Sequence, residues 1–295
     1  MEKEERSAKI KLSLAMLVFG SIGVFRRYIP LSSSWMAFTR GSIGTVFLLL
    51  VVLCSGKRVE KAAVKRNLLP LLISGTAIGI NWILLFEAYR YTTVAAATLC
   101  YYMAPVLVIV CSPFVLKEKL TARKVICVAG ALAGMLLVSG IFQRDTSGGM
   151  NAKGIACGLG AAAFYATVML TNKFFKKISA YDSTILQLGV AALIVLPYAL
   201  AVDGTGEFSA LTLPQGLLLL VVGTIHTGAA YWLYFGSMQR LSSQTVAVYS
   251  YIDPAFAVVL SLVLLREKTG LSGVFGAVLI LGSTLFSEWK GKRRS

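Results

Sequence analysis

Four ionisable residues stand inside long apolar stretches of this sequence: Arg40, Glu87, His226 and Asp253. If those stretches cross a membrane, each such residue costs about 2.5–3.5 kcal/mol to insert, so a functional role is the first reading. A carboxylate such as Asp253 suits an ammonium group or a coupling proton. A histidine, with an unperturbed pKa of about 6.5, suits a proton relay near neutral pH. By counting, His226 and Asp253 lie near the middle of their stretches, about 15 Å from either end at helical rise. Both are expected to face a central cavity; the alternative is a satisfied polar pair tying two helices together. Arg40 and Glu87 count to the outer third of theirs. The expected role of Arg40 is a structural ion pair with Glu87. Glu87 is also within one turn of Arg90, and a place in the polar cavity stays open for it.

Aromatic residues are dense around these positions: Trp82, Tyr101, Tyr102, Tyr165, Tyr231, Trp232, Tyr234, Tyr249 and Tyr251. With Asp253, the set Trp82, Tyr101, Tyr102, Tyr165, Tyr231, Trp232 and Tyr249 forms a candidate substrate-binding box, since ring faces attract cations. Others of the group are expected to pack or to sit in the interfacial belt, as Trp35 and Trp289 do at the ends of their stretches. Pro105 and Pro254 are among the prolines that fall inside apolar stretches. Proline removes a helical hydrogen bond and bends the axis. Paired breaks of this kind point to a binding region.

Other chemistry is excluded by what the sequence lacks. No G-x-x-x-x-G-K-[ST] loop, H-E-x-x-H pair or G-x-S-x-G elbow occurs. One histidine rules out a His-rich metal site. The five cysteines, Cys54, Cys100, Cys111, Cys127 and Cys157, show neither metal-ligand spacing nor a disulfide framework. The expectation is therefore no enzyme, no cofactor and no metal.

The elements that must carry these residues can be read from composition. The chain is 57% hydrophobic and 14% charged, against about a quarter charged in soluble domains, and its mean hydropathy is +0.75. A net charge of +16 raises nucleic acid as a partner. The basic residues, however, cluster at the ends of apolar runs, where membrane proteins anchor, so nucleic acid is excluded as a partner. Runs near the 20 residues needed to span lipid fall at 11–29, 34–55, 68–90, 93–116, 122–142, 154–173, 183–202, 214–237, 243–265 and 270–289. The expected fold is all-α, with ten transmembrane helices. No small-residue cleavage site ends the first run, which is read as a membrane helix rather than a removed signal peptide. With the N-terminus inside, 21 Lys and Arg fall in cytoplasmic segments and seven in outer loops. That bias places both termini in the cytoplasm.

The sequence matches itself at an offset of 149 without gaps: Gly79 with Gly228, Phe86 with Phe235, Tyr102 with Tyr251, Pro105 with Pro254, Ser112 with Ser261, and Glu118-Lys119 with Glu267-Lys268. The offset spans five helices, an odd number, so the second copy enters the membrane from the opposite side. Two inverted five-helix repeats, 1–143 and 150–295, are expected around a central cavity, an arrangement used for alternating access. Gly75/Gly79, Gly130/Gly134 and Gly154/Gly158 provide four-residue small spacings for close helix packing.

The stretch from Gly79 to Pro105, followed by F-V-L-K-E-K-L-T at Phe114 to Thr121, resembles the EamA-type repeat of the drug/metabolite transporter superfamily. The second copy, Tyr234 to Thr269, carries the same proline and an R-E-K ending. Phe19-Gly20-Ser21 resembles the family's W-G-S opening, with Phe for Trp, and Arg40 sits where the family often has an arginine. The resemblance covers nearly the whole chain. It implies ten helices, a cavity walled by both halves, and export or uptake of small metabolites. It also suggests homodimer contacts through helices five and ten. The expected function is secondary transport of amino-acid-like or amine-like solutes across the cytoplasmic membrane, in the export direction. The partners are a small solute and the lipid bilayer. A membrane-embedded enzyme, a receptor-like scaffold or a channel are the alternatives.

Overall fold

The computed structural model describes residues 2–56, 58–92, 94–138, 152–264 and 271–288. All regular structure among them is helical. The first repeat holds α1 (Glu2–Arg26), α2 (Ser33–Cys54), the short α3 (Lys61–Arg66), α4 (Leu68–Tyr91), α5 (Val94–Tyr101), α6 (Ala104–Leu116) and α7 (Ala122–Val138). The second holds α8 (Ala152–Thr171), α9 (Ala180–Asp203), α10 (Leu213–Val221), α11 (Ala230–Met238), α12 (Ser243–Tyr249), α13 (Ile252–Val263) and α14 (Leu271–Glu288). Polar caps start several of them. Ser32 accepts the Trp35 N–H at the head of α2, Ser179 accepts that of Asp182 at α9, and Thr212 and Gln215 form a capping box on α10.

Seven helices among the described residues are long and apolar enough to cross a membrane, α5 and α6 counting as one and α10 to α11 as another. The runs expected at 122–142, 243–265 and 270–289 appear as the shorter α7, α12 with α13, and α14. Several features of the sequence reading lie outside the described residues: Lys57, the junction between the repeats, the R-E-K ending of the second copy, Trp289 and the basic C-terminus.

The packing is approximately two-fold symmetric. Shifted by 149 residues, α1, α2, α4 and α7 fall on α8, α9, the α10–α11 span and α14. The observed contacts respect that shift. α4 packs on α8 as α11 packs on α1; α6 packs on α8 as α13 packs on α1; and the pairs α2–α9 and α7–α14 map onto themselves. Tight crossings explain some of the glycines. A Cβ on Gly134 would lie 2.7 Å from the Gly276 carbonyl oxygen where α7 meets α14. Among the largest fully buried side chains are Tyr234 and Tyr251, so the core is centred where the repeats meet.

Two departures from regular helix shape the centre of the molecule. The spans that bear Pro105 and Pro254 are each broken just before that proline. α5 ends at Tyr101 and α6 begins at Ala104; α12 ends at Tyr249 and α13 begins at Ile252. The i→i−3 bonds Met103 N–Cys100 O (3.1 Å) and Tyr251 N–Val248 O (3.3 Å) mark the tightened turns. The second departure is a π-helical stretch, Val222–Ala229, between α10 and α11. There the Thr227 hydroxyl donates to Val222 O, five residues back. Its counterpart in the first repeat, 73–80, is ordinary α-helix within α4.

Candidate functional site

A cavity of about 350 Å³ lies where the repeats meet. The two helix breaks touch beside it: the Tyr251 hydroxyl donates to the Tyr102 carbonyl at 3.0 Å, and the two rings are 6.3 Å apart. These tyrosines are repeat equivalents. So are Trp82 and Tyr231, whose rings meet at 6.3 Å. The cavity is therefore built on the symmetry axis, with matched residues across it.

Of the candidate binding residues, Trp82, Tyr101, Tyr102, Tyr165, Tyr231 and Asp253 all line this cavity. Tyr101 stacks on Tyr165 at 5.4 Å, and Tyr165 shares a 2.7 Å hydroxyl–hydroxyl bond with Tyr234. Asp253 sits at the start of α13, and the Tyr102 side chain lies against its carboxyl group. Two candidates are elsewhere. Trp232 follows Tyr231 by one residue, so it points about 100° away around the helix; it stacks on Tyr181 (4.8 Å) beside a separate groove. Tyr249 is buried in the core. Pro105 and Pro254 are buried at the first turns of α6 and α13, behind the breaks they cause.

Three expectations need correction. His226 does not face the cavity. It is 3% exposed, its Nε2 lies 3.0 Å from Ser21 Oγ, and its ring meets Phe25 edge-on at 4.5 Å. The π-helical stretch that carries it turns it toward α1. The expected Arg40–Glu87 ion pair does not form. Glu87 accepts from Arg90 at 3.1 Å and from the Tyr198 hydroxyl, at the rim and away from the cavity lining. Arg40 points inward instead, its guanidinium 4.5 Å from the Trp82 ring centre. The aromatic face that would take a substrate cation thus already holds one of the protein's own.

Sequence reasoning gives Phe19-Gly20-Ser21 no role in the site, yet it joins the parts. The Phe19 ring packs on Tyr231 (4.9 Å) and Tyr234 (5.8 Å). A Cβ on Gly20 would lie 2.5 Å from the Asp253 carbonyl oxygen, so only glycine lets α1 approach the break this closely. Ser21 holds His226. The family-like tripeptide is the available signal. Glu118 stands out in the sequence only as a mark of the repeat. Lys117 ends α6 in the left-handed conformation (φ 56). The next residue, Glu118, accepts from Ser243 N (2.9 Å), Ser243 Oγ (2.8 Å) and Gln244 N (3.4 Å) at the head of α12. A carboxylate suits that helix end electrostatically. The Gln244 amide donates to Ser112 Oγ (3.0 Å), and Lys124 donates to Ser242 Oγ (3.1 Å).

The two ends of the molecule differ accordingly. The cavity lining extends to Arg26, Ser33 and Tyr89, at the ends of α1, α2 and α4. No lining residue comes from the Lys117–Lys124 or Met238–Ser242 segments at the opposite end, where the polar bonds clasp α6 and α7 to α12. Among the described residues, no group of three or more His, Cys, Asp or Glu could hold a metal ion.

Comparison with known proteins agrees with this architecture. A solved crystal structure superposes with a TM-score of 0.82 over 96% of each chain at 17% identity, a likeness of fold. An uncharacterized transporter of Bacillus subtilis (strain 168), YxxF, is 33% identical over 278 residues, covering 94% of this chain and 88% of the relative. Protein RarD of Escherichia coli (strain K12) is 24% identical, covering 91% and 89%. Residues 7–140 and 152–289 each match the EamA-like transporter family. The chain is thus a double-repeat, multi-pass membrane transporter and not an enzyme, and it belongs to the EamA-like transporter family.

Proposed function

We propose that this transporter moves small organic solutes, amino-acid-like or amine-like, by alternating access around the cavity between its repeats. Ten spans in two inverted repeats, 1–143 and 150–295, complete the scheme. Both termini are cytoplasmic, in the cell membrane, and export is the net direction. The observation that carries the reading is one cavity lined from both repeats, beside both helix breaks, reaching one end of the molecule and clasped at the other. Under the charge bias, the clasped end is cytoplasmic and the described conformation faces outward. Asp253 is the cavity carboxylate that binds a polar group of the solute or carries the coupling proton. Trp82, Tyr101, Tyr102, Tyr165 and Tyr231 form the wall around its apolar part, and Pro105 and Pro254 supply the hinges. The apolar outer faces of α7 and α14 expose Ile126, Phe275 and Leu285. Lipid covers them in a monomer, and a second copy covers them in the homodimer that the family resemblance suggests.

A melting-shift screen of amino acids and amines identifies ligands first, because a solute that binds only the folded protein raises its stability by mass action. Proteoliposomes preloaded with an unlabelled hit should then accumulate the labelled solute by counterflow. Simple equilibration without counterflow would indicate a channel instead.

A further inference from the structure

Arg40 is a cation held within the membrane-spanning part of the fold, and among the described residues it forms no ion pair with a carboxylate. Neither Glu87 nor Asp253 is its partner: Glu87 is engaged by Arg90 and Tyr198, and Asp253 forms no ion pair with Arg40. Its guanidinium lies over the Trp82 ring, and among the described residues its Nε has no hydrogen-bond partner. Yet Arg40 lines the cavity together with Asp253. An uncompensated guanidinium in this setting is costly, and cation–π contact offsets only part of that cost. The fork of N–H donors is suited to a planar, bidentate carboxylate.

We propose that Arg40 anchors the carboxylate of the transported solute. Asp253, on the second repeat, receives the ammonium group, and the rings of Trp82, Tyr101, Tyr165 and Tyr231 enclose the apolar side chain between them. The substrate class is then a zwitterionic amino acid with an aromatic or branched apolar body, rather than a simple amine. A phosphate dianion fits less well: the other lining cation, Arg26, lies at the end of α1 and donates to the Ile29 carbonyl (2.8 Å), and Asp253 repels a second negative charge. This assignment rests on the reading of the cavity as the transport site.

The test uses matched trios on two bodies: phenylalanine, phenethylamine and 3-phenylpropionate; leucine, isoamylamine and 4-methylpentanoate. Binding to the purified full chain is followed by tryptophan emission, with Trp82→Phe identifying the cavity signal. The amino acid of a trio should bind about 10- to 100-fold more tightly than its amine, the range expected for one charge-assisted hydrogen-bonded contact. In Arg40→Gln the two should bind alike, and Arg40→Lys should recover part of the preference. The wild-type comparison needs no variant, so misfolding of Arg40→Gln cannot shield the proposal. Amines binding as tightly as amino acids would leave the cavity a solute site and overturn the anchor alone. The same holds for an unchanged preference in folded Arg40→Gln. No binding by any of the six, with Trp82 emission unaltered, would overturn the transport-site reading together with the anchor.

Discussion

The two repeats share a frame and differ in chemistry. Where the first has Ala77 and Ala104, the second has His226 and Asp253; where the first has Arg40, the second has Gly189. The backbone differs at the same place, since α4 runs as regular helix where the second repeat has its π-helical stretch. What stays matched is the machinery of the break: both prolines, the Tyr102–Tyr251 pair across the axis, and the Trp82–Tyr231 pair above it. Duplication accounts for the matched breaks, and divergence at two of these positions, Arg40 and Asp253, adds charge to the cavity. π-Helical stretches recur at functional sites, and here the stretch is what turns His226 away from the cavity and onto Ser21.

Substitutions can separate the shared frame from the divergent chemistry. The largest effect is expected at Asp253. Asp253→Asn should abolish counterflow or its pH dependence while the protein still folds, whereas Ala104→Ser, at the matching site of the first repeat, should leave transport intact. Comparable counterflow in both would mean that the asymmetry is incidental. Next comes the clasp. Glu118→Gln should lower stability by roughly 1.5–3 kcal/mol, the range for hydrogen bonds to a charged group. Ser243→Ala should then add little in that background, because the two share one network; additive losses in thermal melts would refute the clasp. Gly20→Ala should cost about 1–3 kcal/mol through overpacking against the Asp253 carbonyl. Gly23→Ala, where a Cβ meets nothing within 4 Å, should stay within about 0.5 kcal/mol of wild type. Equal melting temperatures for the two variants would break the assigned contact between α1 and α13. The smallest effect is expected for Ser21→Ala, about 1 kcal/mol for one hydrogen bond.

Much of this arrangement is legible in the sequence, and the limits have a physical cause. The offset of 149 and the two prolines locate the breaks to within a few residues, because proline's missing N–H acts locally. Depth along a helix is also countable, which is why Asp253 can be placed near the centre. The direction a side chain faces is harder. In a membrane helix both the lipid side and the packed side are apolar, so no amphipathic stripe distinguishes them. Arg40 and Glu87 share a depth but face differently, and nothing in their neighbours reveals it. Tyr231 and Trp232 are adjacent and equally aromatic, yet only one reaches the cavity. His226 is further displaced by a local change of helical pitch that its residues do not announce. Glu118 is visible only as a repeated letter, since its partners at the head of α12 are 125 residues away in sequence.

The central claim is that one cavity is open to each side in turn. It is tested most directly by a single cysteine at Val168, a lining residue, with the five native cysteines replaced. A membrane-impermeant thiol reagent is applied to one face of sealed vesicles at a time. The account predicts labelling from the outer face in the resting protein, and a shift to cytoplasmic labelling when Glu118→Gln opens the clasp, with outer labelling falling in step. Simultaneous labelling from both faces, or no change on opening the clasp, would contradict it.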